Sequence, residues 1–336
     1  MRDVIEVGTA RAEPGQRGDG VLRVAELNDG TPVDIPLAVV NGTQDGSVLW
    51  VQNGVHGMEY VGAGALHRVL RLTSPRLLRG ALIAVPMVNI LAYRAGARSA
   101  PIDGLDMNRI YPGRPLHQVM HVFGHSEVVI NKVFNEIRRL ATHVIDLHAG
   151  GWYTTMSPYA QYLDGDGPYQ EASAALARAS GMTLVWRSSA AFMDEKAPSS
   201  LKIWAARASI PGVTLEVGGQ GRLVPVEVRR MAQAVVNIMR HLQMVDGEPE
   251  IPVRQYVVRQ GHWLRPKTGG LLFARVKPLQ RVRAGQITHV ITDLLGRPRE
   301  RLRAPVDGLV VGVRTLGTVN SGEYCGNIGE VEGDGR

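Results

Sequence analysis

Apolar residues follow two alternating periods along the first three quarters of the chain. Short apolar runs bounded by Gly, Asn or Asp are typical of buried strands, and the longer segments between them repeat at helical spacing. This alternation predicts an α/β fold with a mixed, mostly parallel sheet and helices on both faces. The predicted strands are 21–27, 36–41, 47–53, 81–88, 143–148, 183–186 and 212–217, and the predicted helices are 59–72, 125–140, 169–180 and 224–242.

The pattern changes after residues 246–252, a polar segment that contains two prolines. Beyond it, short Val-rich runs are separated by glycines and show no helical period. Such a pattern is typical of a small all-β unit. We therefore predict a larger domain over residues 1–247 and a small C-terminal domain, a β-barrel or β-sandwich, over residues 253–336.

Composition narrows the classes of function. The net charge of +7 comes from 38 basic and 31 acidic residues that are scattered, which argues against a nucleic-acid partner. The single cysteine, Cys325, cannot form an internal disulfide and favours a reducing compartment. Neither a signal peptide nor the ~20 apolar residues of a membrane span is expected. The prediction is a cytoplasmic protein with no membrane partner.

Two histidines and a glutamate follow predicted strands. Strand 47–53 runs into the segment Asn53-Gly-Val-His56-Gly-Met-Glu59, where Glu59 is predicted to begin a helix, and strand 143–148 ends in His148. Functional groups in an open α/β sheet gather outside the carboxyl ends of the strands, so these three side chains are expected at one edge. A His₂Glu set suits zinc and leaves one position for water. The alternative is a core histidine at position 148 and a turn residue at position 56.

A third strand end carries a carboxylate. Glu216 lies among apolar residues and is followed, after Val217, by two glycines. Burial of an unpaired carboxylate is costly, whereas a carboxylate that faces a metal-bound water can serve as general base. The alternative is an ion pair between Glu216 and Arg222.

The loop from Arg94 to Gly113 is unusually rich in charged and turn-forming residues. Asp106 can accept a hydrogen bond from a metal-bound imidazole, Asn108 supplies an amide, and Arg109 supplies a guanidinium for bidentate carboxylate recognition. A loop that is merely solvated is the alternative.

Four segments together resemble one family: NGVHGMEY, DGLDMNRIYPG, IDLHAGG and TLEVGG. In this order and at these separations they are similar to the succinylglutamate desuccinylase and aspartoacylase family, which has a zinc carboxypeptidase-like fold. The resemblance covers roughly residues 45–245. It implies that His56, Glu59 and His148 hold one zinc ion per chain. It also implies that Glu216 acts as general base and then as proton donor.

The resemblance assigns roles in the charged loop as well. Asn108 and Arg109 would bind the carboxylate of the substrate, and Asp106 would brace a zinc-bound histidine. The family places an arginine before this loop to stabilise the developing oxyanion. Arg98 is the residue predicted for that role, with Arg94 as the alternative.

The C-terminal segment resembles the small β domain that narrows the active-site entrance in this family, and Tyr324 is a candidate to reach the site. Residues 150–158, with Trp152 and Tyr153, are predicted to be a loop that lines the pocket. The predicted function is zinc-dependent removal of an acyl group from a small N-acyl amino acid, by a chain that could form a homo-oligomer. The alternatives are a metallocarboxypeptidase acting on short peptides and a non-catalytic binding protein on the same scaffold.

Overall fold

The computed structural model describes residues 2–118, 124–165, 167–189 and 200–332. Within these residues the helices are α1 (Val61–Leu72), α2 (Ile90–Arg94), α3 (His125–Leu140), α4 (Pro168–Ala179), α5 (Leu201–Arg207) and α6 (Pro225–His241), with short 3-10 helices at Met107–Arg109 and Leu116–Gln118. The strands are β1 (Ile5–Val7), β2 (Ala10–Ala12), β3 (Gln16–Glu26), β4 (Pro32–Asn41), β5 (Gln44–Asn53), β6 (Arg79–Val85), β7 (His143–His148), β8 (Thr154–Leu163), β9 (Leu184–Ser188), β10 (Gly212–Gly219), β11 (Tyr256–Leu264), β12 (Gly270–Ala274), β13 (Arg281–Val282), β14 (Ile287–Thr292), β15 (Pro298–Arg303), β16 (Gly308–Arg314), β17 (Thr318–Val319) and β18 (Gly326–Val331).

A mixed sheet of twelve strands organises the described part of the chain. Its order is β13-β16-β18-β11-β9-β8-β10-β7-β5-β6-β4-β3. Strands β6, β5, β7 and β10 are mutually parallel, as are β8, β9 and β11, whereas β8 and β10 pair antiparallel. The predicted α/β class with a mixed sheet is confirmed.

Alternating residues of the central strands pack against helices on opposite faces of the sheet. Leu49, Val51 and Leu147 belong to a core cluster shared with α1, α4 and α6. Trp50 and Val144 belong to a second cluster shared with α3 and α5. The side-chain period of two in a strand explains why near-continuous apolar runs fill both layers.

Two local predictions differ from the structure. Helix α1 begins at Val61, and Glu59 lies in the turn before it, where the Asn53 amide nitrogen donates to the Glu59 carbonyl at 3.0 Å. The predicted loop 150–158 becomes β8 from Thr154 onward. Pro158 lies inside this strand, although proline cannot donate to a ladder. It is accommodated where the β8–β10 register shifts, opposite the Glu216 to Gly218 stretch.

After residue 253 the described chain forms only strands, which divide between two sheets. Strands β11, β13, β16 and β18 extend the central sheet, and β12, β14, β15 and β17 form a separate four-stranded sheet. The division of the chain into two domains, with a boundary between residues 247 and 253, stays a prediction. Residues 333–336 of the predicted C-terminal domain lie outside the described residues. Among the described helices, none combines the length and the apolar content that a membrane crossing requires.

A substitution at Leu147 tests how much the core beneath the site contributes to stability. Its side chain is fully buried between the sheet and the helices. Leu147→Ala should lower the free energy of unfolding by about 2–5 kcal/mol, because the cavity left behind cannot collapse completely. The matched control, Leu294→Ala, removes a side chain that is 85% exposed and should change stability by less than about 0.5 kcal/mol. Urea denaturation of both variants measures the difference, and equal midpoints would contradict this packing.

Candidate metal centre and catalytic cavity

Three side chains from two strand ends converge at the carboxyl edge of the sheet. His56 and Glu59 lie in the turn between β5 and α1, and His148 is the last residue of β7. The Glu59 carboxylate lies between the two imidazoles, with Oε1 2.8 Å from His56 Nδ1 and Oε2 3.0 Å from His148 Nδ1. All three side chains are buried, and one possible ligand atom from each lies within 4.8 Å of the others. They form a possible metal-binding triad.

The turn that carries His56 and Glu59 is held by close backbone packing. The buried Asn53 amide donates to the carbonyls of Glu59 and Pro86, each at 3.0 Å. A Cβ atom on Gly57 would lie 2.2 Å from the backbone of Ala92, so only glycine permits this approach. The Ala149 backbone N–H donates to Glu59 Oε2 at 3.0 Å and links the turn to the end of β7.

Two further carboxylates contact the Nε2 atoms of the two imidazoles, which are the ring nitrogens that do not face Glu59. Asp106 Oδ1 lies 3.0 Å from His56 Nε2, and Asp146 Oδ2 lies 3.0 Å from His148 Nε2. The Gln52 amide donates to the other oxygen of Asp146 at 3.0 Å. Carboxylates in this position orient a ligating histidine and raise its basicity. Asp106 was predicted to brace a histidine, whereas Asp146 was missed, although its position two residues before His148 places both side chains on one face of β7.

The charges in this cluster stabilise one another. Burial opposes protonation of His56 and His148, but the neighbouring carboxylates outweigh it and raise the pKa of both imidazoles. Burial likewise opposes ionisation of Glu59, and the two imidazoles outweigh it and hold its pKa well below the usual range. These shifts favour imidazolium beside carboxylate in the triad, and a bound cation would replace protons there.

Glu216 lies beside the triad on the neighbouring strand. It is directly opposite His148 in the parallel β7–β10 pair. Burial raises the pKa of Glu216 to about 7, although the charge of His148 and a hydrogen bond from Tyr159 act in the opposite direction. Its Oε2 atom is buried and has no hydrogen-bond partner within the described residues. Sequence analysis gave an ion pair between Glu216 and Arg222 as the alternative. Among the described residues, no carboxylate oxygen lies within 4 Å of the Arg222 guanidinium.

The charged loop contributes to the same cavity. Arg98 donates from Nε and Nη2 to Asp106 Oδ2 at 3.2 and 3.0 Å, and its Nη1 lies 3.8 Å from Glu59 Oε1. Asn108 and Arg109 lie on the 3-10 helix after Asp106 and line the cavity. Arg94, the alternative to Arg98, ends α2 and is not among the described residues that line the cavity.

The cavity is larger than the triad alone requires. Its volume is about 840 Å³, and its walls extend from the triad across β10, β8 and β9 to β11. Residues from the C-terminal part of the chain reach it, including Trp263 on β11, Arg314 on β16 and Tyr324 in the loop before β18. The Tyr324 hydroxyl donates to Asn327 Oδ1 at 2.6 Å. Tyr324 therefore lies at the site, as sequence analysis allowed.

The segment before β8 is only partly in the cavity wall. Tyr153 and Met156 line the cavity, whereas Trp152 lies outside the described lining and packs over Gly96 and Gly221. Sequence analysis also missed Tyr159, Gln161 and Lys202, which line the cavity on β8 and α5. The alternating pattern of β8 was the only local signal for the first two, and it was obscured by Pro158.

Comparison with known proteins identifies the class of protein. The succinylglutamate desuccinylase/aspartoacylase catalytic domain matches residues 45–242, more than half of the chain. The chain belongs to this family, as the four sequence segments indicated. The match contains the triad, Asp106, Asp146 and Glu216, and ends at the C-terminal end of α6.

Several relatives resemble the chain over nearly its whole length. The N-alpha-acetyl-L-2,4-diaminobutyric acid deacetylase of Halomonas elongata is 27% identical over 326 residues, which are 93% of this chain and 91% of the relative. A product-bound structure of the ectoine utilization protein EutE (DoeB) from Ruegeria pomeroyi has a TM-score of 0.81 and 25% identity, with 94% of each chain covered. A succinylglutamate desuccinylase/aspartoacylase structure from Rhodobacter sphaeroides has a TM-score of 0.82 and 25% identity, covering 94% of this chain and 96% of that one.

A substitution at Asp146 tests whether this carboxylate supports the triad. Asp146→Asn should keep the fold but weaken zinc binding by about 10- to 100-fold, because an amide orients the His148 imidazole less strongly than a carboxylate does. Competition titration with a chromophoric chelator measures the affinity. Asp246→Asn, at a side chain that is 93% exposed, is the matched control and should bind zinc as the unchanged protein does. Equal affinity for both variants would remove Asp146 from this role.

The raised pKa of the two imidazoles predicts a pH dependence of metal affinity. Zinc binds neutral imidazole, and the raised pKa of His56 and His148 favours protonated rings, so zinc binding at the triad should release protons. Zinc affinity should therefore rise with pH until both rings are neutral and fall as pH is lowered. Calorimetry in two buffers of different ionisation enthalpy measures the protons released. His143→Gln is the control, because burial already lowers the pKa of His143 to about 4. Binding without proton release would contradict the charge state described above.

Proposed function

We propose that this chain is a zinc-dependent amidohydrolase that removes the acyl group from an N-acyl amino acid or a similar small amide bearing a carboxylate. The observation that carries the proposal is the position of Glu216. Its carboxylate lies opposite His148, beside the triad and in the same cavity, and one of its oxygens has no partner within the described residues. A buried carboxylate in that position is costly unless it acts on a bound group.

The residues of the triad fit zinc. Two imidazole nitrogens and one carboxylate oxygen are the donor set of catalytic zinc sites, which keep a further position open. Both Nδ1 atoms face the Glu59 carboxylate, while both Nε2 atoms are bound by Asp106 and Asp146. This arrangement defines which nitrogens would bind the ion, and His56, Glu59 and His148 would hold it. Zinc bound there would supply Lewis acidity, which lowers the pKa of water and polarises a carbonyl.

Glu216 performs the proton transfers in the proposed reaction. A pKa near neutrality suits a group that accepts a proton from the attacking water and returns it to the leaving nitrogen. The water oxygen bonds to the carbonyl carbon, and the C–N bond then breaks. The products are a carboxylic acid and a free amine.

Two arginines of the charged loop, Arg98 and Arg109, bind the negative charges of the developing oxyanion and of the substrate carboxylate. Arg98 is oriented by Asp106 and reaches within 3.8 Å of Glu59, a position from which it stabilises the oxygen that gains charge during attack. Arg109 and the Asn108 amide bind the substrate carboxylate.

The relatives support this substrate class. The Halomonas protein is named as a deacetylase of an N-acetylated amino acid, and it aligns with more than nine tenths of this chain. The C-terminal part of the chain contributes Trp263, Arg314 and Tyr324 to the cavity wall, which favours small substrates over a long peptide.

Glu216→Gln tests the proposal directly. The substitution preserves size and hydrogen bonding but removes the proton acceptor, so kcat should fall by about 10²- to 10⁴-fold while zinc content is retained. Zinc analysis and a hydrolysis assay on N-acetylated and N-succinylated amino acids measure both quantities.

Glu248→Gln, at an exposed position between α6 and β11, is the matched control and should retain full activity. Near-normal turnover by Glu216→Gln would remove Glu216 from the mechanism. The substrate panel includes short peptides, and hydrolysis of peptides alone would favour a metallocarboxypeptidase. Absence of turnover on the whole panel would favour a binding protein.

A further inference from the structure

A row of side chains on one face of the sheet runs across four strands beside the triad. Asp146 on β7 lies opposite Thr214 on β10, Thr214 lies opposite Gln161 on β8, and Gln161 lies opposite Trp186 on β9. Residues directly opposite one another in a sheet point to the same face. Thr214, Gln161 and Trp186 line the cavity, so this face of the sheet is open to a ligand beyond the triad.

Lys202 lies over this row. It is in the first turn of α5, which packs against β7, β8 and β10, and it lines the cavity. Its ammonium donates a hydrogen bond to Gln161 Oε1. Burial lowers the pKa of Lys202 to about 8, against the opposing charges of Asp146 and Glu216, so the side chain is largely protonated at neutral pH. A cation is thus present in a recessed part of the cavity.

The register places Gln161, the hydrogen-bond partner of this cation, close to Glu216. Glu216 is directly opposite Tyr159, and Gln161 follows Tyr159 by two residues. Such diagonal neighbours are roughly 7–8 Å apart. A substrate whose amide lies beside Glu216 would bring an atom two to four carbons away within reach of the ammonium. Arg109 is a second cation close enough to affect the Lys202 charge.

We propose that Lys202 is a specificity-determining residue that binds a carboxylate located two to four carbons from the scissile amide. The inference rests on the proposed function and adds a substrate class to it. With Arg109 assigned to one substrate carboxylate, a further cation at Lys202 favours substrates with a second carboxylate and disfavours a substrate with a free ammonium group. The chain is therefore expected to differ in preference from its relative that is named for a diaminobutyric acid derivative.

A purely structural role for Lys202 has a different consequence. If the ammonium only balanced the charges of Asp146 and Glu216, its loss would lower activity on all substrates by the same factor. If it binds the substrate, the loss depends on whether the substrate carries the second carboxylate. The ratio of kcat/KM between acidic and neutral substrates separates the two roles, because a general loss of activity leaves it unchanged.

The test compares Lys202→Met with the unchanged protein on four substrates. N-acetylaspartate places the second carboxylate on the amine side, N-succinylalanine places it on the acyl side, N-acetylalanine lacks it, and N-acetyl-diaminobutyrate carries an ammonium group. For one or both acidic substrates, kcat/KM should fall by about 10- to 100-fold, whereas N-acetylalanine should change by less than about threefold. The acidic substrate that is affected identifies the side on which the carboxylate binds.

Control variants distinguish charge from packing. Lys202→Arg keeps the charge and should retain the preference for acidic substrates, while Lys202→Glu should raise the relative kcat/KM of N-acetyl-diaminobutyrate. Lys132→Met, at an exposed lysine on α3, should change none of the ratios. An equal loss on all four substrates by Lys202→Met would overturn the proposal.

A binding measurement separates this inference from the proposed function. Glu216→Gln leaves the substrates intact, so calorimetry with the zinc-loaded variant gives affinities without turnover. Adding Lys202→Met to Glu216→Gln should weaken binding of the acidic compounds by a similar factor and leave N-acetylalanine unaffected. If the unchanged protein hydrolyses none of the compounds, the proposed function is wrong, and these affinities still decide carboxylate recognition. Unchanged affinity for both acidic compounds would overturn the Lys202 inference.

Discussion

The candidate site depends on a chain of alternating charges buried at one edge of the sheet. Asp106, His56, Glu59, His148 and Asp146 contact one another in that order, so each ionised group has neighbours of opposite charge. Any of these groups buried alone would lose its hydration without compensation. Four of its members are fixed on β7 or in the turn after β5, which are adjacent strands of the same sheet, and Asp106 reaches His56 from the charged loop. The cluster also places three possible metal ligands close together.

The sheet connects this cluster to the rest of the cavity. Parallel pairing brings Glu216 opposite His148, and antiparallel pairing brings Tyr159 opposite Glu216. Each further strand adds about 4.8 Å of floor on the same face. Helix α5 covers one side of that face, and Trp263 of β11 and Tyr324 of the loop before β18 contribute to the wall. The edge that carries the triad and the region proposed to select the substrate are thus parts of one continuous surface, with different elements responsible for each.

The family relationship and the cavity carry different information about function. Membership rests on a match over residues 45–242, which include the triad and Glu216, the groups that the proposed reaction uses. The walls beyond them come from β8, α5 and the C-terminal strands, where Gln161, Lys202 and Trp263 determine the charge and shape that a substrate meets. Relatives with the same reacting groups can therefore act on different amides.

The sequence by itself determined the alternation of strands and helices, and the limits of α3 and β7 agree with the structure residue for residue. It also determined the four segments that identify the family, because a histidine or glutamate next to a glycine turn at a strand end is a local signal. The limits of β8 were less accessible, since Pro158 is tolerated only at a register shift that the partner strand creates.

Only the tertiary structure decided which distant residues face the same space. Lys202 belongs to a short helix without a distinctive motif, and its hydrogen bond to Gln161 spans 41 residues. Asp146 contacts the triad because it lies beside Gln52 and His148 in the folded chain. Tyr324 is brought to the cavity by the pairing of β16 with β18. The electrostatic state of such groups depends on burial and on partners across the sheet. Neither is a property of the local sequence, because both arise when the strands pair.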